Sequence, residues 1–316
     1  MSGWGGMMIV TRDRLPDGQF ASPVVTIGNF DGVHLGHRAI FSEVKRIAAA
    51  ENRPSVVVSF VEHPRKVLYP ERELPVLSTQ EERIRHIGES GVDALVLLEF
   101  TPAMSMMHAR EFVHRIIIEQ LGASHIVLGY DHAFGKNREG NIDALNELSA
   151  VFGFGVTRLE PYEIDGHPVS SSRIRSLLAD GEVETSAEYM GRPYEVSGTV
   201  IEGFKRGRTI GFPTANLMSD NTEKIIPCDG VYATRVRLCC GEYDAVTNVG
   251  KNPTFGEGAR TVETHILDYS GDLYGNKLTV SFIARIRGEI RFESPSELVS
   301  AIQEDVRAAR EKLRGA

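Results

Sequence analysis

The sequence predicts two domains of different class, a doubly wound α/β domain followed by an antiparallel β-barrel closed by a terminal helix. Three observations carry this. At roughly 100–200 residues per domain, a chain of 316 residues has room for two cores. Up to about Leu177, short β-branched runs alternate with helical patterns, the signature of a parallel sheet covered on both faces. Beyond Tyr194 the apolar runs follow one another with only Gly, Pro and Asn between them, as antiparallel pairing requires.

Taken in order, Val24–Ile27 is the first strand and Leu35–Ala50 the first helix. Val56–Phe60 is a second strand and Thr79–Ser90 a second helix. Ala94–Leu98 and Ile126–Gly129 are further strands, with a helix over Ala109–Leu121 between them. Leu178-Ala179-Asp180-Gly181-Glu182 ends a helix, and the domain boundary is placed at 187/188. The barrel half offers strands over Tyr194–Ile201, Val231–Leu238, Tyr243–Val249, Val262–Asp268 and Leu278–Ile286. A helix over Ser296–Leu313 closes the chain, with Leu298, Val299, Ile302 and Val306 at helical spacing.

Composition narrows the function. Hydrophobic residues make up 41%, charged residues 25% and aromatics 8%, values that exclude a disordered, collagen-like or coiled-coil chain. A net charge of −8 argues against an electrostatic nucleic-acid binder. No long apolar run suggests a membrane span, and the Gly-rich stretch from Met1 to Met8 lacks the pattern of a secretory signal. The three cysteines, Cys228, Cys239 and Cys240, suit neither a disulfide framework nor a four-ligand zinc site. The expected location is the cytoplasm.

Chemistry first gathers where the first strand passes into the first helix, at Ile27-Gly28-Asn29-Phe30-Asp31-Gly32-Val33-His34-Leu35-Gly36-His37. Such a junction aims free backbone N–H groups and the positive end of a helix at an anion. Glycines at 28, 32 and 36 permit tight turning, and His34 and His37 can both donate to a nucleotide phosphate. By itself the stretch reads first as a turn whose glycines serve geometry and whose histidines are surface caps. A zinc pair lacks two further ligands.

The run Gly-Asn-Phe-Asp-Gly-Val-His-Leu-Gly-His over residues 28–37 resembles the HxGH signature of nucleotidyltransferases. With Phe-Asp-Gly ahead of it, it resembles the FAD-synthesising module of the bacterial bifunctional riboflavin kinase/FAD synthetase family. Gly129-Tyr130-Asp131-His132-Ala133-Phe134-Gly135-Lys136-Asn137-Arg138-Glu139-Gly140 resembles that family's second motif, and Val169-Ser170-Ser171-Ser172-Arg173-Ile174-Arg175 its third. A serine there can cap a helix, and Arg175 can hold phosphate oxygens in a fork. Phe60-Val61-Glu62-His63-Pro64 resembles another family segment, with Glu62 in place of the expected proline. His132 likewise replaces an aromatic Phe. The resemblance assigns His34, His37 and Arg175 to catalysis, and Gly28, Phe30, Asp31, Gly36, Asp131, Ser171 and Ser172 to nucleotide and flavin binding.

In the second half, Gly203, Lys205, Arg206, Gly207, Arg208 and Gly211 form a cationic glycine-rich loop suited to polyphosphate. It lacks the Gly-Lys-Ser/Thr ending of a Walker A loop. Thr214 and Asn216 offer hard oxygen ligands two residues apart, which suits Mg²⁺ shared with phosphates. The run Gly211-Phe212-Pro213-Thr214-Ala215-Asn216 closely resembles the riboflavin kinase signature, and Asn248-Val249-Gly250-Lys251-Asn252-Pro253-Thr254-Phe255 a loop of the same family. Glu263 matches its acidic residue, suited to accept a proton from a hydroxyl attacking ATP, while His265 reads as structural. Ile286-Arg287-Gly288-Glu289-Ile290-Arg291-Phe292 resembles the segment lining the flavin site, which makes Arg287 and Glu289 candidates to touch flavin.

The resemblance runs from about Val24 to Leu313. It implies an HxGH-type nucleotidyltransferase domain over 1–187 and a six-stranded antiparallel riboflavin kinase barrel over 188–316. The implied substrates are ATP, riboflavin and FMN, with Mg²⁺ at Thr214 and Asn216 and the loop from Gly203 through Pro213 binding phosphate. Neither nucleic acid nor membrane is an expected partner, and head-to-tail self-association is a family-level expectation. Three alternatives remain at this level: another adenylyl-transferring enzyme, a flavin binder that has kept the pockets, and a chain retaining one activity only.

Overall fold

A computed structural model describes residues 7–16, 18–130, 132, 134–136, 139–203, 210–219, 221–239, 241–251 and 260–315. The chain forms two compact units, 1–170 and 171–316. The sequence-based boundary at 187/188 falls inside a helix, Val183–Met190.

Among the described residues of the first unit, strands β1 (Ile9–Arg12), β2 (Val24–Ile27), β3 (Ser55–Phe60), β4 (Ala94–Leu98), β5 (His125–Leu128) and β6 (Gly155–Arg158) form one sheet. Its order is β1-β4-β3-β2-β5-β6, and every pairing is parallel. The central strands are buried along their whole length because each serves two cores. Val56 and Val58 pack with Phe112, Ile116 and Leu128 on one face, while Val57 packs with Phe41, Ile87 and Leu95 on the other. This is the doubly wound sheet that the continuous apolar runs require. From β2 the chain winds outward through β3 and β4, then crosses to the other side at β5. The crevice at the carboxyl ends of β2 and β5 is therefore the topological switch point, where such sheets bind ligands.

Helices α1 (Leu35–Ala50), α2 (Pro64–Leu68), α3 (Gln80–Gly88), α4 (Pro102–Ser105), α5 (Ala109–Phe112) and α6 (Ile142–Phe152) complete the first unit. α5 continues without a break as a π-helix over Val113–Gln120, so the expected helix over 109–121 exists but changes its winding. The hairpin β7 (Glu163–Ile164) and β8 (His167–Pro168) turns at Asp165 and Gly166, both at positive φ.

The second unit begins with α7 (Ser171–Asp180) and α8 (Val183–Met190). Strands β9 (Tyr194–Ile201), β10 (Ala215–Ser219), β11 (Gly230–Leu238), β12 (Gly241–Lys251), β13 (Arg260–Ile266) and β14 (Lys277–Arg287) then close a six-stranded antiparallel barrel. Its order is β10-β13-β12-β11-β14-β9, with β9 pairing back onto β10. Helix α9 (Pro295–Arg314) buries Ala309 and Leu313 against Val231, Ala233, Val246 and Ala284, with Ser294 as its N-cap. Five barrel strands follow the apolar pattern, and the sixth, β10, carries the Pro-Thr-Ala-Asn signature into the sheet. Arg285 fastens α7 to the barrel by donating to the carbonyls of Asp180 and Asp229.

Candidate active sites

In the first unit the residues between Ile27 and Leu35 make a strained turn. Phe30 (φ 52°), Gly32 (φ 82°) and Val33 (φ 41°) all lie in the left-handed region, unusual for Phe and severe for a β-branched Val. Strain of this kind persists where the surroundings over-determine it, and Asp31 does so. Its buried carboxylate accepts hydrogen bonds from the Leu77 N–H (3.0 Å), the Ser78 N–H (3.0 Å) and the Ser78 hydroxyl (3.1 Å). The Gly32 N–H donates to the same hydroxyl at 2.9 Å. Asp31 therefore clips the turn to the chain preceding α3.

His34 is the N-cap of α1, its Nδ1 accepting from the His37 N–H at 3.4 Å. The two imidazoles stack with ring centroids 3.6 Å apart and 19° between planes. Phe30 meets His37 edge-on at 5.2 Å. The paired histidines thus stand together at the α1 N-terminus, beside the carboxyl end of β2. Gly28 and Gly36 serve close packing: a Cβ at 28 would lie 2.9 Å from the Phe30 ring, and one at 36 would lie 3.2 Å from His34 Nδ1.

Asp131 lies outside the described residues. Further along that motif, Phe134 and Gly140 exchange backbone hydrogen bonds. Glu139 accepts from the Ala109 N–H at 2.8 Å and lies 2.9 Å from His108 Nδ1. These bonds hold its carboxyl below the usual range, the Ala109 N–H foremost. Of the two departures, Glu62 is exposed, and the ring of half-buried His132 lies 6.0 Å from that of Phe134. Ser171, Ser172 and Arg175 sit in the first turns of α7, Ser172 exposed and Arg175 half-buried.

In the barrel, Asn216 of β10 stands directly opposite Glu263 of β13, and Asn248 of β12 faces Glu263 from the other side. Three polar side chains thus form one row across three strands, because residues in register share a face. Asn216 is buried, and a Cβ at Gly203 would collide with its amide, so the glycine makes room for it. Gly250 does the same for Glu289: a Cβ there would collide with Oε1 of Glu289 and lie 3.5 Å from Asn248 Nδ2. The alternate residues on β13 turn the other way. Thr264 joins Thr247 (3.0 Å) and Thr234 (2.8 Å onward) in a buried ladder of hydroxyls.

Pro213 is fixed through its carbonyl, which accepts from His265 Nδ1 at 2.8 Å. Beside it, Thr214 lines an open cleft whose other wall is Tyr269, Gly271, Asp272, Leu273 and Tyr274. Sequence reasoning missed this wall, since the run from 269 to 274 resembles an ordinary polar turn. Arg287 is engaged elsewhere: its guanidinium forms a two-pronged pair with Asp305 of α9, at 2.8 and 2.7 Å. Lys205, Gly207 and Arg208 lie outside the described residues, as do Asn252 to Phe255. Hard oxygen donors at Thr214 and Asn216 fit a Mg²⁺ ion that takes its remaining ligands from phosphates and water. Among the described residues no group of three or more His, Cys, Asp or Glu forms a closed metal cage. No described helix is long and apolar enough to cross a membrane.

Comparison with known proteins follows this division. The FAD synthetase family model matches residues 18–173 and the riboflavin kinase model residues 190–313. The chain is 38% identical to a bifunctional riboflavin kinase/FMN adenylyltransferase of Pseudomonas fluorescens, over 91% of this chain and 92% of the relative. It is 35% identical to the protein of that name from Haemophilus influenzae, over 90% and 92% respectively. A crystal structure from Streptococcus pneumoniae, described as a macrolide-efflux protein, superposes with a TM-score of 0.87 at 32% identity, covering 96% of this chain and 99% of that one.

Proposed function

Because the chain belongs to the bifunctional riboflavin kinase/FMN adenylyltransferase family and makes FMN from riboflavin and FAD from FMN, we propose residue roles for its two reactions. In the barrel, Glu263 accepts the proton of the riboflavin 5′-hydroxyl as that oxygen attacks the γ-phosphorus of ATP. ADP leaves and FMN is formed. Asn216 and Thr214 would hold Mg²⁺, which when bound neutralises charge on the phosphates. Asn248 and Glu289 border the same row and orient the flavin. The cleft between Thr214 and Tyr274 accommodates the nucleotide, and the loop carrying Lys205, Gly207 and Arg208 covers its phosphates.

In the adenylyl-transfer step an FMN phosphate oxygen attacks the α-phosphorus of a second ATP, and pyrophosphate leaves. His34 and His37 donate to the transferring phosphates from the α1 N-terminus, a placement in which preorganised donors stabilise developing charge. Ser171, Ser172, Arg175 and Asp131 are assigned to this step by their motifs. No protein nucleophile is needed, since positioning and electrostatics supply the catalysis. The proposed division between the catalytic domains stays at 187/188, between the two family matches. A cytoplasmic location and head-to-tail self-association belong to the same proposal.

The observation that carries the kinase assignment is the register that sets Asn216 and Asn248 on either side of Glu263. The test is a time course with riboflavin, ATP and Mg²⁺, resolving the flavins by chromatography. FMN rising ahead of FAD supports both sites and their order; no FMN would refute the barrel assignment.

A further inference from the structure

Arg83, on the first turns of α3, is 6% exposed, yet among the described residues it makes no ion pair. Its acceptors are oxygens of neutral groups. One terminal nitrogen donates to the Asn29 carbonyl (3.2 Å) and reaches the Asn29 side-chain oxygen (3.4 Å). The other donates to the carbonyls of Phe60 (2.5 Å) and Val61 (3.3 Å). Its buried Nε has no partner. The nearby carboxylate, Asp31, acts on it only at a distance, and burial outweighs that attraction to pull the guanidinium pKa down.

These acceptors have a meaning in the fold. Phe60 is the last residue of β3, and Asn29 follows β2, its neighbour in the sheet. Arg83 thus ties together two strand ends at the rim of the crevice, and does so at the base of the turn that delivers His34 and His37. Ser59 adds a hydroxyl to the Asn29 carbonyl at 3.2 Å. A neutral amide could bridge such carbonyls at a lower desolvation cost than a guanidinium. What only the cation adds is a positive field beneath the turn. What only its planar fork adds is simultaneous grip on both strands.

We propose that Arg83 is a positioning residue for adenylyl transfer, its fork fixing the turn over residues 28–34 and its charge drawing polyphosphate to that turn. This rests on the reading of the α1 N-terminus as the site where ATP and FMN react. Charge and fork can be separated by substitution. Arg83→Gln keeps amide donors and removes the charge, whereas Arg83→Lys keeps the charge and removes the fork.

The experiment measures FAD formation from FMN over a range of ATP concentrations for the full-length wild type and both variants. Riboflavin phosphorylation and thermal unfolding are recorded on the same preparations. Arg83→Gln should raise KM for ATP by about ten-fold or more, and Arg83→Lys should keep it near the wild type while kcat falls by roughly ten- to hundred-fold. Phosphorylation of riboflavin should stay within about two-fold in both, as expected for a site built from the other unit's residues with no shared partners. A wild-type KM in folded Arg83→Gln overturns the role of charge, and a wild-type kcat in Arg83→Lys overturns the positioning. Loss of kcat that only follows the unfolded fraction, with KM unmoved in both variants, makes Arg83 structural and overturns the proposal. If Arg83→Gln does not fold, Arg83→Lys decides alone. Absence of FAD formation by the wild type would instead defeat the underlying reading of the site.

Discussion

Asn216 and Glu263 occupy directly opposed positions on β10 and β13. Side chains so opposed have Cβ atoms about 4.5–5.5 Å apart. An amide suited to a hard cation and a carboxylate suited to a proton are thereby spaced by the sheet itself. The spacing does not depend on a loop, so each can be altered while the other stays in place.

Glu263→Gln keeps the shape and removes the base. FMN formation should fall by roughly 10²–10⁴-fold, the usual contribution of a general base, while conversion of FMN to FAD persists. His37→Ala should give the opposite result. Separate assays on riboflavin and on FMN check this, and equal loss of both activities in either folded variant would defeat the two-site assignment.

Gly203→Ala tests the seat of Asn216. The added methyl collides with the Asn216 amide, so riboflavin phosphorylation should weaken and its Mg²⁺ requirement should rise. A metal titration of FMN formation reads this directly. An unchanged Mg²⁺ dependence would remove Asn216 from the proposed metal site.

Asp31→Asn weakens the clip on Leu77 and Ser78. Hydrogen bonds to a buried charge contribute about 1.5–3 kcal/mol, so denaturant unfolding of the first unit should shift by an amount of that order. FAD formation should fall with it, because the turn would relax from its positive φ values. Full FAD formation with the clip broken would show that the strained turn is not needed.

Arg287→Met leaves Asp305 buried without its partner. Breaking such a pair from one side costs on the order of 3 kcal/mol, discounted here because the Arg287 side chain is 21% exposed. Thermal unfolding should drop, and Arg287→Met with Asp305→Leu should recover part of the loss. A raised KM for riboflavin at unchanged stability would instead place Arg287 at the flavin.

His125 supplies a pH dependence. Burial lowers its pKa below the ordinary histidine value, more than Glu51 and Glu43 raise it. A histidine held neutral by the fold contributes stability that is present above about pH 6.5 and is lost as pH falls through its lowered pKa. Thermal unfolding followed from pH 7.5 to 5 should show this decline, and His125→Gln should flatten it.

Much of this was legible in the sequence because the central strands are buried on both faces and read as unbroken apolar runs. The HxGH turn was legible because its glycines sit where a Cβ would crowd Phe30, Leu77 or His34, and the one at 32 takes a positive φ. Strand β10 was not: Ala-Asn-Leu-Met-Ser has little intrinsic preference for a strand and is held in place by β9 and β13. Arg83 was hidden for a different reason. Helix α3 reads Gln-Glu-Glu-Arg-Ile-Arg-His-Ile-Gly, an apparently solvated surface, yet Glu82, Arg83 and His86 are buried. The Asp31 carboxylate, a candidate for ligand binding in the sequence, accepts from the Leu77 N–H and from the Ser78 N–H and hydroxyl. Polar burial leaves no periodic trace, so such residues emerge only from the fold. Edge strands β1 and β6 are four residues long, too short to stand out, and nothing in Val113–Gln120 announces a change of helical winding.

The barrel closes on itself, so each of its strands has two neighbours and none offers a template to another chain. Among the described residues the parallel sheet ends instead at β1 and β6, two margins left for strand addition. They carry the same safeguard: Ile-Val-Thr-Arg and Gly-Val-Thr-Arg both finish on an arginine that must be desolvated before a stray strand can align there. When the protein is heated in a crowded cell, aggregation should therefore begin at its adenylyl-transfer half, with these two arginines as gatekeepers.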